Sequence, residues 1–259
     1  MKARRICIMM VAIGALVFAP QVGASAAAGA VPGGGVLAGT TVVEEVGESL
    51  VVTADEGVSN DITVRRRGNV VTVTDTGDTV AAVAPCQLTS AHTAECPLPI
   101  TAVRVSAKDA DDDVTISPNL DAAGTVVGGE GDDRLNGGPR ADRLVGDDPA
   151  SFGLLATPGN DTINGGPGND TISGLAGNDT INGNAGNDTL NGDDGNDTLN
   201  GDQGNDTVTG GRGNDTHNGN EGNDTLNAVD NLIANDSLDG GLGFDTCNRD
   251  TGDTAINCP

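Results

Sequence analysis

From Gly159 to Asn227 the chain repeats one nine-residue phrase almost without variation: GNDTINGGP, GNDTISGLA, GNDTINGNA, GNDTLNGDD, GNDTLNGDQ, GNDTVTGGR, GNDTHNGNE and GNDTLN. A unit this short cannot bury an apolar face by itself, so its neighbours must stack, which restricts the chain to a solenoid or an array. Each phrase divides into six turn-formers and three strand-formers. Glycine supplies positive φ in a tight turn, and Asn tolerates the left-handed region better than most side chains. Thr-Ile-Asn or Thr-Leu-Asn then places one inward apolar residue between two outward polar ones, because side chains alternate along a strand. Two phrases therefore make one coil with two short strands and two turns. Asp161, Asp179, Asp197 and Asp215 would stack along one edge, and Asp170, Asp188, Asp206 and Asp224 along the other.

In the register Gly-Gly-x-Gly-x-Asp-x-apolar-x, the stretch Gly210 to Asn218 (GGRGNDTHN) matches at every position except His217. This pattern resembles the repeats-in-toxin (RTX, hemolysin-type) calcium-binding nonapeptide family, whose known fold is a calcium-loaded parallel β-roll. The resemblance implies an all-β fold, a parallel β-roll or β-solenoid, with Ca²⁺ held by Asp side chains and turn carbonyls. The chemistry is consistent with that ion. Rungs of a β-stack lie about 4.8 Å apart, and carboxylates on adjacent rungs can share a cation whose oxygen ligands sit at roughly 2.4 Å. Four aspartates per edge leave three gaps each, or about six ions in this block by the family's inter-rung pattern.

Energetics point the same way. The inward positions are Ile163, Ile172, Ile181, Leu190, Leu199, Val208, His217 and Leu226, and burying one aliphatic side chain contributes only about 1.5–3 kcal/mol. Ordering nine residues costs on the order of 13 kcal/mol. Carboxylates repeated every ~4.8 Å add about 1 kcal/mol of repulsion per neighbouring pair even in water. The expectation is a repeat region that stays largely unfolded without metal and folds on binding it.

Composition excludes an ordinary globular core: there is no Trp or Tyr, only three Phe, and 40 Gly. Stability must come from repetition, metal and disulfides. The first 26 residues read as a secretory signal, with a basic start (Lys2, Arg4, Arg5), an apolar run from Ile6 to Phe18 and the small-residue site Ala24-Ser25-Ala26. The run is too short to span a bilayer, so the expected product is secreted and not inserted in a membrane after the signal is removed. Taking those three cations from the 13 basic residues leaves 10 against 38 acidic ones, a net of −28. Such a chain repels nucleic acid and anionic membranes and attracts cations. Calcium is generally more available outside the cell, so export and folding are expected to be coupled.

Residues 27–39 form a small-residue linker containing VPGGG. Residues 40–127 carry short β-branched runs, Thr41-Val42-Val43, Leu50-Val51-Val52, Ile62-Thr63-Val64, Val70 to Thr74, Val103-Arg104-Val105 and Val114-Thr115-Ile116, separated by turn signals. This segment is expected to be a β-rich cap packed on the first rung. Residues 128–248 carry the repeats. GGEGDDRLN and GGPRADRLV place Asp133 and Asp142 in the ligand position, with Arg140 where the second phrase needs a glycine. Gly146 to Leu155 breaks phase, as an outward loop or as a seam between two blocks. Past Asn227 the phase shifts again, and Asn231 to Asp239 and Gly240 to Asn248 restore it with Asp236 and Asp245 in the column. Residues 249–259, with Asp253-Thr254-Ala255-Ile256 as a closing strand, form the C-terminal cap.

Cys7 would leave with the signal, and four cysteines permit three pairings. Proximity favours Cys86 with Cys96 and Cys247 with Cys258, each worth about 3 kcal/mol on the chain-entropy model; the spacings do not resemble the close pairs of a zinc site. Only His92 and His217 are present for acid–base work. There is no His-Glu-x-x-His, Gly-x-Ser-x-Gly or phosphate-loop motif, so no enzyme is expected. His217 reads as a tolerated replacement of an apolar residue, since imidazole suits softer metals than calcium. The leading function is a secreted calcium-binding repeat protein. The alternative is an extracellular adhesion or surface structural protein using the roll as a rigid calcium-dependent spacer. A third possibility is an unrecognised hydrolase within residues 40–127.

Overall fold

The computed structural model describes residues 40–148, 158–230 and 236–258. The expected signal (1–26) and linker (27–39), most of the phase break at 146–155 and the start of the Asn231 phrase lie outside them. The described residues contain no helix and form two long sheets.

The N-terminal region supplies β1 (Thr40–Val46), β2 (Ser49–Thr53), β3 (Asp61–Arg67), β4 (Val70–Asp75), β5 (Thr79–Ala82), β6 (Gln87–Ser90), β7 (Thr93–Pro97), β8 (Ala102–Asp109), β9 (Asp113–Ile116) and β10 (Ala123–Glu130). Each β-branched run noted above lies in one of these strands. The strands β5, β6, β7 and β10 were not expected. The first three are Ala- and polar-rich, with weak intrinsic strand signal, and pairing draws them in: β5 joins β1, and β7 lies between β4 and β6. The two expected disulfides, Cys86–Cys96 and Cys247–Cys258, are formed.

The repeats follow as β11 (Arg134–Asn136), β12 (Arg143–Val145), β13 (Thr162–Pro167), β14 (Thr171–Ala176), β15 (Thr180–Ala185), β16 (Thr189–Asp194), β17 (Thr198–Gln203), β18 (Thr207–Arg212), β19 (Thr216–Glu221) and β20 (Thr225–Ala228), then β21 (Ser237–Asp239), β22 (Thr246–Arg249) and β23 (Thr254–Ile256). Even-numbered strands from β8 to β22 form one parallel array, odd-numbered strands from β9 to β23 the other. Paired residues are 18 apart in the regular stretch, as in Ile163 with Ile181 and Ile172 with Leu190. This is the parallel β-solenoid expected.

Three features depart from the sequence reading. First, the cap does not sit on the roll as a separate sheet. The parallel pairing runs back through β10–β8–β2 and β9–β3, and the antiparallel hairpins β1–β2 and β3–β4 end both arrays. The expected boundary at 127/128 falls inside β10. Second, β13 to β19 are six residues long instead of three. Ladder bonds persist through the glycine steps because coils keep their register there, so only Gly-Asn-Asp is left to turn. Third, the phase break at 146–155 is not a seam. Leu135 pairs with Ile163 and Leu144 with Ile172, 28 residues apart, so ten extra residues leave both arrays continuous.

The core is a double file of inward side chains. Leu135, Ile163, Ile181, Leu199, His217 and Leu238 line one sheet, and Val126, Leu144, Ile172, Leu190, Val208 and Leu226 the other, all buried.

Candidate metal centres

The turns after each strand carry the Asn-Asp pair, and the two side chains do different work. The Asn residues form stacked amide ladders. Asn160 Oδ1 accepts from the backbone N–H (2.8 Å) and Nδ2 (3.1 Å) of Asn178, and the pattern repeats with Asn178 and Asn196, and with Asn196 and Asn214. A parallel ladder on the other edge runs Asn169, Asn187, Asn205 and Asn223. These bonds hold successive turns in step without any charge.

The aspartates form two columns. Along one edge, the N–H of Asp133 donates to Asp161 Oδ1, that of Asp161 to Asp179, Asp179 to Asp197, Asp197 to Asp215 and Asp215 to Asp236, at 2.7–2.8 Å. Along the other, Asp142 donates to Asp170 Oδ1, Asp170 to Asp188, Asp188 to Asp206, Asp206 to Asp224 and Asp224 to Asp245, at 2.8–2.9 Å. All twelve sequence-derived positions thus fall into the two files, and each is buried.

One oxygen of each carboxylate is accounted for; the second is not. Oδ2 of Asp133, Asp161, Asp170, Asp179, Asp188, Asp197, Asp206, Asp215, Asp224, Asp236 and Asp245 is buried with no hydrogen-bond partner. Asp142 is the exception. Its Oδ1 accepts from the N–H of Gly124 and its Oδ2 from that of Gly138, a turn reshaped where Arg140 replaces the glycine.

The orphan oxygens face a shared kind of space. A Cβ placed on Gly183 would run into Asp188 Oδ2 and lie 2.8 Å from the carbonyl oxygen of Gly201, one coil later. Gly165 looks the same way onto Asp170 Oδ2 and the Gly183 carbonyl, 2.8 Å from the latter. Only glycine leaves this volume open. A carboxylate oxygen and a carbonyl oxygen from successive coils converge on it, the hard, all-oxygen donor set that suits Ca²⁺. Among the described residues no three acidic, imidazole or thiol side chains gather at one point. Any ion held there would draw on mixed donors, one acid per rung completed by backbone.

Burial makes the anions costly. It is the largest cause pushing Asp133 and Asp179 up to about 8, Asp161, Asp170 and Asp215 up to about 7, and Asp197 and Asp206 up to about 6. Asp142, Asp188, Asp224 and Asp236 are raised for the same reason. The backbone N–H bond to Oδ1 opposes the shift, and neighbouring carboxylates add to it in most of the column. Near neutral pH such a column must take up protons or another cation.

Two acids of the file escaped the sequence reading. Asp112 accepts from the N–H of Asn60 (2.6 Å), donates its own N–H to Asp133 Oδ1 (2.9 Å), leaves Oδ2 without a partner and is pushed up to about 7 by burial. Asp253 accepts from the N–H of Asp236 (3.3 Å) through Oδ1 and from that of Asp250 (2.8 Å) through Oδ2, closing the file. Both stand two residues before an inward residue, Val114 and Ala255, as Asp161 stands before Ile163. That Asp-x-apolar spacing was the available signal, hidden because the glycines that mark the phrase are missing.

Residues 122–148, 155–190 and 191–226 match the family model for the RTX calcium-binding nonapeptide repeat (4 copies). Comparison with curated proteins finds no match.

Proposed function

The repeat region, residues 122–226, belongs to the RTX calcium-binding nonapeptide family, and from that premise we propose that this chain is a secreted calcium-binding protein whose β-roll folds around the ion. The observation that carries the reading is the double row of buried, unpartnered Oδ2 atoms, all but those of Asp112 and Asp236 turned toward a glycine that leaves room beside it. Bound Ca²⁺ would supply there the positive charge that these oxygens otherwise draw from protons. Asp112, Asp133, Asp161, Asp179, Asp197, Asp215 and Asp236 would hold ions along one edge, and Asp170, Asp188, Asp206, Asp224 and Asp245 along the other. Asp142 and Asp253 commit both oxygens to backbone N–H groups and act as ends of the files. Secretion rests on the signal pattern of residues 1–26. We assign no catalytic activity: His92 sits on an exposed turn and His217 is sealed in the core.

Isothermal titration with Ca²⁺, followed by circular dichroism, tests the proposal. The expected result is strand signal that appears as several equivalents of Ca²⁺ bind, that Mg²⁺ does not reproduce and that a chelator reverses. A roll whose spectrum and heat are indifferent to Ca²⁺ would overturn it. N-terminal sequencing of the exported protein should begin at Ala27.

A further inference from the structure

One rung of the roll is chemically unlike the rest. His217 on β19 stands between Leu199 of β17 and Leu238 of β21, in a file that is otherwise aliphatic from Ile163 onward. It is fully buried, and neither Nδ1 nor Nε2 has a hydrogen-bond partner. An imidazole sealed away from water with both nitrogens idle is costly, and it offers a nitrogen lone pair to whatever lies beside it.

What lies beside it is the Asp215 cradle. A Cβ on Gly210 would run into Asp215 Oδ2 and stand 2.6 Å from His217 Nε2. Two orphan donors, one carboxylate oxygen and one ring nitrogen, thus converge on a single small volume. At the corresponding glycines of neighbouring phrases, Gly192, Gly201 and Gly219, the nearest atoms belong to Asp carboxylates or to a backbone carbonyl, and no nitrogen is among them.

We propose that Asp215 and His217, beside the space that Gly210 leaves, form a mixed nitrogen–oxygen site for a borderline transition dication of the Zn²⁺ or Co²⁺ class, within a roll whose other rungs take a hard, oxygen-coordinated ion. Imidazole nitrogen selects such metals over Ca²⁺, so the phrase that departs from the repeat at one letter changes the metal at one rung. The contrast with the other rungs rests on the function proposed above; the convergence of Nε2 and Oδ2 does not.

The test uses the full chain without a histidine tag, brought to saturating Ca²⁺, checked by circular dichroism and then dialysed against Co²⁺. Bound metals are counted by elemental mass spectrometry, and the cobalt environment is read from its visible absorption. His217→Leu supplies the residue present one coil earlier at Leu199, so the variant is expected to fold. His92→Ala removes the other imidazole. The expected result is one more Co²⁺ per chain in the wild type and in His92→Ala than in His217→Leu, with nitrogen-ligated cobalt absorption lost only in the last. Equal cobalt content in wild type and His217→Leu, or folded wild type that retains none, would overturn the proposal. If the spectrum proves indifferent to Ca²⁺, the broader reading fails at that first step, and the Co²⁺ difference between the two chains still decides this one.

Discussion

The two ends of this molecule share the same pair of sheets and reach stability by different means. In the N-terminal hairpins, apolar residues crowd one face: Val43, Leu50, Val52, Ile62, Val64, Val71 and Val73 are all fully buried within about thirty residues of chain, and the Cys86–Cys96 bond ties β7 to the loop before β6. In the repeats each nine-residue phrase buries one inward side chain, aliphatic except at His217, and, two residues before it, one carboxylate whose second oxygen is unpaired except at Asp142. The hairpins bury a dense apolar file, while the roll buries unpaired carboxylates beside its apolar one. Since the parallel arrays run without a break from one region into the other, the hairpins present a ready edge on which the roll can grow.

Removing calcium should separate the regions most sharply. With a chelator at neutral pH, hydrogen exchange followed by mass spectrometry should show the amides of β13 to β22 unprotected while those of β1 to β4 stay protected. Equal loss in both would break the comparison. Acid should substitute for the metal. Burial raises Asp197 and Asp206 to about 6 and Asp133 and Asp179 to about 8, above the ordinary carboxylate value of about 3.9. The metal-free folded roll therefore binds more protons than the unfolded chain between those limits, and its stability is present below the unfolded pKa and lost as pH rises through 6 to 8. Metal-free chain is expected to gain strand signal as pH is lowered from 8 toward 4. In calcium the slope reverses, because protons compete for the same oxygens.

On the side of the hairpins, replacing Cys86 and Cys96 together by Ala should cost about 3 kcal/mol of their stability and leave the calcium midpoint of the roll nearly unchanged. Asp179→Asn works on the other region. It keeps an oxygen to accept the N–H of Asp161 but removes a buried charge. The calcium midpoint should rise about tenfold, equivalent to about 1.4 kcal/mol, while the metal-free roll becomes easier to fold. Smallest is Leu175→Asn. Leu175 holds φ 81°, where the corresponding positions of neighbouring phrases carry Gly166, Asn184, Asp193 and Asp202. Relieving a left-handed Leu should raise the stability of the calcium-loaded roll by about 1 kcal/mol in thermal unfolding.

Much of this was legible because it is local. The alternation of Thr, Ile and Asn dictated which side chains face inward, and the eighteen-residue coil dictated which aspartates meet. What escaped depends on partners far along the chain. The strand Thr79–Ala82 carries little signal of its own and forms by pairing with Thr40–Val43. Asp112 joins the file through Asn60 and Asp133, 52 and 21 residues away. The six-residue strands were underestimated because glycine was read as a turn-former alone, whereas stacked coils carry it within the ladder. At Asp142, Arg140 did mark an altered turn, but that both carboxylate oxygens would be taken by Gly124 and Gly138 needed coordinates.

Between Asp133 and Asp236 successive acids in one file are separated by 18 residues at three steps, by 28 between Asp133 and Asp161, and by 21 between Asp215 and Asp236. The spine thus counts storeys and ignores how much corridor is hung outside each one. A builder could lengthen such a tower by whole floors, or attach a foreign peptide at either long step, and the stairwell would still line up.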